Sequence, residues 1–335
     1  MEILPNYAPR RLGGRDVCPI GLGCMSLATA YGPPPGRDEA LRLLDRALAC
    51  GYDHLDTARI YGLGRSEELI GEALKGRRNR VYLASKTGIF PDGDQRRVDC
   101  RPEMILGAVE ESLRLLRTDH IDLYYLHRRD FTVPIEDSVG ALADLVQAGK
   151  IGGIGLSEMS ADTLRRAHEV HPITAMQTEY SLWTRQVEIA VLDACRELGV
   201  ALVAFSPLGR GPLAGTPANM ASLMPGDMRS LFPRMQADHW PHNRELIAGL
   251  ARLAEEGGIT PAQLSLAWVL SRGDHIHTIP GTANLAHLEE NIATLGKVVD
   301  AEILTRADAL INPATVSGPR YPPQMQRTID TEDYA

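Results

Sequence analysis

The sequence predicts a single-domain (β/α)8 barrel with parallel strands, and three observations predict it. Short apolar runs alternate with longer amphipathic ones along nearly the whole chain, the pattern of a parallel sheet crossed by helices. Eight such units fill about 250 residues, roughly 31 each, which is the usual size of a barrel of this kind. The rival fold, an open doubly wound sheet, normally carries a Gly-rich fingerprint after its first strand. Here Gly21-Leu22-Gly23-Cys24-Met25-Ser26 holds too few glycines for it.

Taken in order, residues 20–25 read as the first strand and 38–50 as its helix, with Ala40, Leu41, Leu44, Ala47 and Leu48 at helical spacing. Residues 54–58 form the second strand, and 66–74 a helix that Ser66 is placed to cap. The third strand is 81–86, and its helix, 102–116, begins with the proline that a first turn favours. The fourth unit is 121–127 followed by 135–148, with Gly149 just past the helix. The fifth is 151–157 with 161–170, and the sixth is 175–179 with 187–198, ended by Gly199. The seventh strand, 201–205, is followed by a long irregular segment, 209–241, and two helical stretches, 244–256 and 261–271. Strand 277–280 and helix 285–295 complete the eighth unit, and 312–335 reads as a Pro- and Thr-rich C-terminal tail.

Bulk properties narrow the function classes. A net charge of −8 argues against nucleic acid or an anionic membrane as the partner. No apolar run approaches the ~20 residues of a membrane helix, and Met1-Glu2-Ile3-Leu4-Pro5 does not open like a secretory signal. Cys18, Cys24, Cys50, Cys100 and Cys195 show neither a disulfide framework nor a zinc spacing. The expectation is a reduced, cytoplasmic protein with a small-molecule substrate. No sequence pattern sets an oligomeric state.

The chemistry is concentrated at strand ends. Asp56 lies in His54-Leu55-Asp56-Thr57-Ala58, Lys86 ends the third strand, His127 ends the fourth, and Tyr61 follows in the loop after the second. In such a barrel the C-terminal strand ends make one face, which carries the reaction. Singly, a strand-end Lys or Asp is a surface or ion-pair residue, a His a hydrogen-bonded structural group, and a Tyr a loop-packing one. Together on one rim they are equipped to move a proton. Tyr61 is a poor acid at its reference pKa of about 10, and a neighbouring cation, Lys86, is expected to lower that value. Asp56 can pair with Lys86 and orient it, while His127 can donate to a substrate oxygen. The set suits protonation of a carbonyl oxygen as hydride reaches the carbon, with no metal required.

Asp56-Thr-Ala-x-x-Tyr-Gly62, Ser85-Lys-Thr-Gly88 and Leu123-Tyr-Tyr-Leu-His-Arg128 resemble the aldo-keto reductases. The similarity runs from Arg11-Leu12-Gly13 to Glu290-Asn291. It is closest to the branch that includes perakine reductase and auxin-induced-protein-like enzymes, whose pattern is matched by Gly155-Leu-Ser-Glu158, Glu179-Tyr-Ser-Leu-Trp183 and Phe205-Ser-Pro-Leu-Gly-Arg-Gly211. The resemblance implies the same barrel, and NADP(H) bound without a Rossmann fold. It implies Tyr61 as general acid, assisted by Lys86, Asp56 and His127. Ser157 and Gln177 would hold the nicotinamide carboxamide, with Met25, Asp56 and Glu158 also at the cofactor. Phe205 takes the place of an aromatic ring that stacks on the nicotinamide, or else is barrel core. Ser206, Pro207, Leu208, Gly209 and Gly211, with Gly281 and Thr282, would cradle the phosphates. The loops after strands seven and eight are also where this barrel ordinarily binds phosphate, although Gly209-Arg210-Gly211 alone is equally an ordinary turn. Glu290 and Asn291 match adenine-contacting positions.

One departure stands out. Relatives often place Arg or Lys just after Gly-Thr, against the 2′-phosphate of NADP, and here Ala283 and Asn284 follow. NAD(H) is therefore the alternative cofactor, with His287 either a contributor or a surface-helix residue. Arg128 and Arg129 face an acidic or polar substrate or pair with Asp130, and Tyr31 and Trp240 either line the pocket or anchor loops. His275 and His277 lack the further ligands of a metal site. Two other functions compete with a carbonyl oxidoreductase: a cofactor-binding regulatory subunit, which can keep all four rim residues, and a metal-dependent hydrolase, whose clustered ligands the strand ends do not supply.

Overall fold

A computed structural model describes residues 8–29, 31–93, 95–215, 223 and 226–334. The chain opens with an antiparallel hairpin, β1 (Arg10–Leu12) and β2 (Arg15–Val17). The barrel strands are β3 (Leu22–Gly23), β4 (His54–Asp56) and β5 (Tyr82–Thr87); then, after a second hairpin of β6 (Ile89–Asp92) and β7 (Gln95–Val98), come β8 (Leu123–Leu126), β9 (Ile154–Ser157), β10 (Ile173–Glu179), β11 (Ala201–Phe205) and β12 (Ile276–Ile279). The eight barrel strands pair in parallel, in chain order from β3 to β12. Bridges Ile20–Thr278 and Gly23–Gly281 close the sheet on itself, which rules out the open-sheet alternative.

The helices are α1 (Arg37–Ala49), α2 (Arg65–Ala73), α3 (Pro102–Leu116), α4 (Ile135–Gln147), α5 (Ala161–Val170), α6 (Val191–Leu198), α7 (Trp240–Glu256), α8 (Pro261–Leu270), α9 (Leu285–Ala293), α10 (Ala301–Leu310) and α11 (Pro323–Gln326). Their ends follow local rules. Pro102 opens α3, the Gly199 backbone is left-handed after α6, and Thr260 with Gln263 makes a capping box on α8. Helix α8 packs on β12 and α9 and is the seventh barrel helix, whereas α7 and α10 pack on each other and on α8. No described helix is long and apolar enough to cross a membrane.

Two expectations of local structure are corrected. Ser66 does not cap α2: the cap residue is Gly64, and the buried Ser66 hydroxyl donates to the Cys24 carbonyl (3.1 Å) and accepts from Thr57 (2.8 Å). Helix α7 starts at Trp240, four residues before the expected 244, because Pro241 suits a first turn. Helix α10 lies outside the expected elements, although Asp300 caps it and Ile303 and Ala307 are at helical spacing, and the two hairpins are not legible in the sequence. The hairpin strands are three or four residues long and mostly polar, as in Arg10-Arg11-Leu12, so they carry no alternation to read.

The apolar residues form an outer cluster between sheet and helices, and an inner one inside the barrel. Leu12 and Val17 bring the first hairpin into the inner cluster, closing the barrel floor. Higher up, Gly155 pairs with Tyr125 across β8 and β9, and a Cβ there would lie 2.2 Å from the Tyr125 ring. Tyr125 is fully buried and cannot move aside. Gly155→Val is expected to destabilise the fold by at least ~1–3 kcal/mol, the usual cost of overpacking. A urea midpoint equal to wild type would contradict this.

Candidate active site

The rim residues converge. Asp56 ends β4, Lys86 is the next-to-last residue of β5, and His127 follows β8 directly. Asp56 and Lys86 are almost fully buried, at 2% and 1% exposure, and the Lys86 ammonium donates to the Asp56 carboxylate and to the Thr57 carbonyl (2.7 Å). The second Asp56 oxygen accepts from Gln177 Nε2 (2.7 Å). Buried charges persist when paired and hydrogen-bonded in this way. Burial works against the ammonium, but Asp56 and Tyr61 outweigh it and hold the Lys86 pKa above its ordinary value.

Tyr61 is half-buried above this pair, its ring centroid 5.3 Å from Lys86 Nζ. The loop that carries it turns sharply, with Gly62 left-handed (φ 60°), where a Cβ would meet Ala28 at 2.8 Å. His127 packs edge-on against the Tyr61 ring, centroids 5.8 Å apart. Burial, with Lys86, Arg128 and Arg96 nearby, pushes the His127 imidazole well below its ordinary pKa, so it is neutral. Its buried Nδ1 has no hydrogen-bond partner. One electrostatic expectation is overturned. Lys86 does pull the Tyr61 pKa down, but burial outweighs it, and the phenol lies above its ordinary value.

Around these four, Ser157 ends β9, buried, with Arg128 Nη1 3.4 Å from its hydroxyl. Gln177 lies in β10, its amide on Asp56. Phe205 ends β11 half-buried on top of the inner cluster. Met25 begins a short 3-10 turn after β3 and is half-buried. The turn after β11 is concave, with Ser206 (φ 49°), Gly209 (φ 57°), Arg210 (φ 66°) and Gly211 (φ 115°) all left-handed. Such runs make backbone cradles for anions. Pro207 and Leu208 lie within it, and Gly281 and Thr282 follow β12 beside β3.

Other candidates sit differently. The Glu158 carboxylate is committed elsewhere, to Arg320 and the Glu179 N–H, so its side chain is not presented to a cofactor. Trp240 opens α7 and packs on the outer cluster, so its anchoring reading is the one the packing supports. Tyr31 lies against the Arg229 guanidinium (5.5 Å) and touches Arg210, in the turn after β11. Arg129 donates to the carbonyls of Asp130 and Val133, and Arg128 to that of His127; neither forms an ion pair with Asp130. His287 is exposed on the first turn of α9, Glu290 is half-buried and Asn291 buried. No cluster of three potential metal ligands exists among the described residues. His277 instead sits inside the barrel floor, edge-on to His54.

Sequence reasoning did not find the buried ionic cluster beside this site. Arg320 pairs with Glu158 (2.5 Å) and Glu179 (3.2 Å), and Glu179 also holds Arg210 (2.9 Å) and the Tyr321 hydroxyl (2.7 Å). Burial alone would raise Glu179, but the two arginines and Tyr321 hold it down to about 2. The only sequence signal was a lone Arg-Tyr pair among the tail prolines.

A closed parallel barrel whose C-terminal rim carries an ion-paired lysine, a phenol and a neutral imidazole defines a class: barrel proteins equipped to transfer a proton to or from a bound small molecule. The profile described as "Aldo/keto reductase family" matches residues 19–312. The chain is 40% identical over 320 residues to a probable aldo-keto reductase 1 of Glycine max, covering 93% of this chain and 91% of that protein. It is 40% identical over 334 residues to an aldo-keto reductase of Strobilurus tenacellus, covering 97% and 98%. Among solved structures, it superposes on a glycerol dehydrogenase from Gluconobacter oxydans with TM-score 0.85, 27% identity, and 95% and 99% coverage. It matches an aldo-keto reductase from Klebsiella pneumoniae in complex with NADPH at TM-score 0.72, 27% identity, and 93% and 100% coverage. The protein belongs to the aldo/keto reductase family.

Proposed function

We propose that the protein is an NADP(H)-dependent oxidoreductase that interconverts an aldehyde or ketone with its alcohol, working in the cytoplasm. The observation that carries the reading is the buried Lys86–Asp56 pair beneath Tyr61, beside a neutral His127. The nicotinamide, when bound, supplies or accepts the hydride. Tyr61 holds the proton that a reduced carbonyl oxygen needs, and its raised pKa keeps it protonated at neutral pH. Lys86 stabilises the phenolate left behind, and Asp56 holds Lys86 charged and in place. His127, neutral, donates a hydrogen bond to the carbonyl oxygen.

The residues fit the cofactor. Asn291 Oδ1 is buried without a partner, an acceptor suited to the adenine amino group. The concave turn of Ser206 to Gly211, with Gly281 and Thr282, suits the diphosphate, Phe205 offers a ring face, and Ser157 and Gln177 offer polar groups for the carboxamide. The NADPH complex of the Klebsiella relative supports the choice of NADP(H). A specific observation favours a second reading, NAD(H). Asn284, one of the two positions after Gly-Thr where relatives often carry Arg or Lys, is occupied as the cap of α9, accepting from the Ala286 and His287 N–H groups. The glycerol dehydrogenase relative lends that reading an alcohol substrate. Fluorescence titration should show NADPH binding more tightly than NADH, and NADH binding equal or tighter would overturn the preference. A carbonyl and alcohol panel run with both cofactors, followed by nicotinamide absorbance, tests the activity. Tight cofactor binding without turnover on any substrate would point instead to a regulatory role.

A further inference from the structure

Three residues beside the proposed cofactor site have left-handed backbones although none is glycine: Glu158 (φ 55°), directly after Ser157, and Ser206 (φ 49°) and Arg210 (φ 66°), in the turn after β11. Such conformations are uphill and persist only where surrounding structure over-determines them. For Glu158 and Arg210 that structure includes the C-terminal tail. Arg320 takes both oxygens of Glu158, at 2.5 and 2.8 Å, and the Asp330 N–H donates to the Glu158 carbonyl (3.1 Å). Downstream, Asp330 and Glu332 accept from the N–H groups of Ser160 (3.0 Å) and Ala161 (2.9 Å), where acidic groups suit the start of α5. Arg210 is reached through Glu179, which Arg320 and Tyr321 share with it, and the Tyr321 hydroxyl also accepts directly from Arg210 (3.0 Å). Upstream, Arg234 donates to the Gly318 carbonyl (3.1 Å) and to that of Trp183, fastening the start of the tail to the loop after β10.

Arg320 is therefore the point at which one segment meets three strand ends. Glu158 adjoins Ser157 on β9, Glu179 lies two residues beyond Gln177 on β10, and Arg210 belongs to the turn after β11. The fork is bidentate on Glu158, and its two charged partners, Glu158 and Glu179, are at most 4% exposed at their side chains, so water does not substitute for it. We propose that residues 318–332 form a clamp that sets the cofactor-binding conformation of these strand ends, with Arg320 as its positioning residue. The inference rests on the nicotinamide cofactor reading above. The clamp touches no reacting atom. It acts on the affinity for cofactor, and leaves Tyr61, Lys86 and His127 as they are.

The test compares Arg320→Met, Arg320→Lys and Tyr321→Phe with wild type by NADPH fluorescence titration, steady-state kinetics and thermal unfolding. Arg320→Met should weaken NADPH binding by about tenfold or more, the usual size of coupling between two linked sites. The KM for cofactor should rise in parallel while kcat at saturating cofactor and the KM for the carbonyl hold, the pattern of lost ground-state binding. Arg320→Lys keeps the charge without the fork and should fall between Met and wild type. A folded Arg320→Met variant with wild-type NADPH affinity overturns the proposal. If Arg320→Met does not fold, Tyr321→Phe, which removes a single hydroxyl, decides, and an unchanged affinity there overturns it equally. If wild type binds neither NADPH nor NADH, the functional reading fails and this inference with it; if wild type binds and the variants bind as well, only the clamp fails.

Discussion

Tyr61→Phe should lower carbonyl reduction by about 10²- to 10⁴-fold, the range that a positioned general acid contributes. The substitution removes one hydroxyl and leaves the ring, so the edge-on contact with His127 and the position above Lys86 survive. Cofactor affinity should hardly change, because no residue proposed to hold the cofactor depends on that hydroxyl. The same assignment sets the direction of the pH profile. Burial pushes the Tyr61 pKa up, and Lys86 and Arg128 only partly offset it, so the acid stays loaded through neutral and mildly alkaline pH. Reduction should persist there, while alcohol oxidation, which needs the phenolate as base, should gain as pH rises. Turnover of Tyr61→Phe at the wild-type rate, measured at the nicotinamide absorbance, would remove Tyr61 from the mechanism.

Acid should destabilise the fold well before carboxylates protonate. His54 and His277 lie buried in the barrel floor, and burial lowers both from 6.5 to about 3. Both ring nitrogens of His54 lack hydrogen-bond partners, and His277 Nε2 meets the Arg11 carbonyl (3.2 Å). In the unfolded chain each imidazole takes a proton as pH falls through 6.5, whereas in the native state it stays neutral down to about 3. Stability is therefore full above pH 6.5 and declines between 6.5 and 3, by roughly 2 kcal/mol for each histidine at pH 5. Glu179, held at about 2, adds a further loss below its ordinary 4.5. Urea unfolding at pH 7, 6 and 5 should show the fall, and His54→Leu should flatten it only in part, since it removes one of several buried imidazoles, His127 and His277 among them. An equal slope in that variant would mean that the floor histidines do not set the acid response.

The four rim residues were legible because each interrupts or follows an apolar strand, and strands buried on both faces read as short apolar runs. Asp56, Lys86 and His127 fall on or next to the ends of β4, β5 and β8 as the spacing predicts. Ser66 was misread because a capping residue and a buried hydroxyl bridging two strand ends look alike in sequence. The hairpins β1–β2 and β6–β7 were missed because such short segments owe their form to what they pack on; α10, ten residues with Ile303 and Ala307 at helical spacing, carried a signal that was not used.

By itself the sequence determined the barrel, the order of its units and which residues stand on the rim, because periodicity and punctuation are properties of neighbours in the chain. The tertiary structure alone decided the electrostatic state of that rim. Whether Lys86 lowers Tyr61 or burial raises it depends on how far water is excluded, which only the closed barrel sets. The pairing of Arg320 with Glu158, 162 positions away, was likewise beyond local reading, since a buried ion pair is chosen by distance in space and by the lack of any competing solvent.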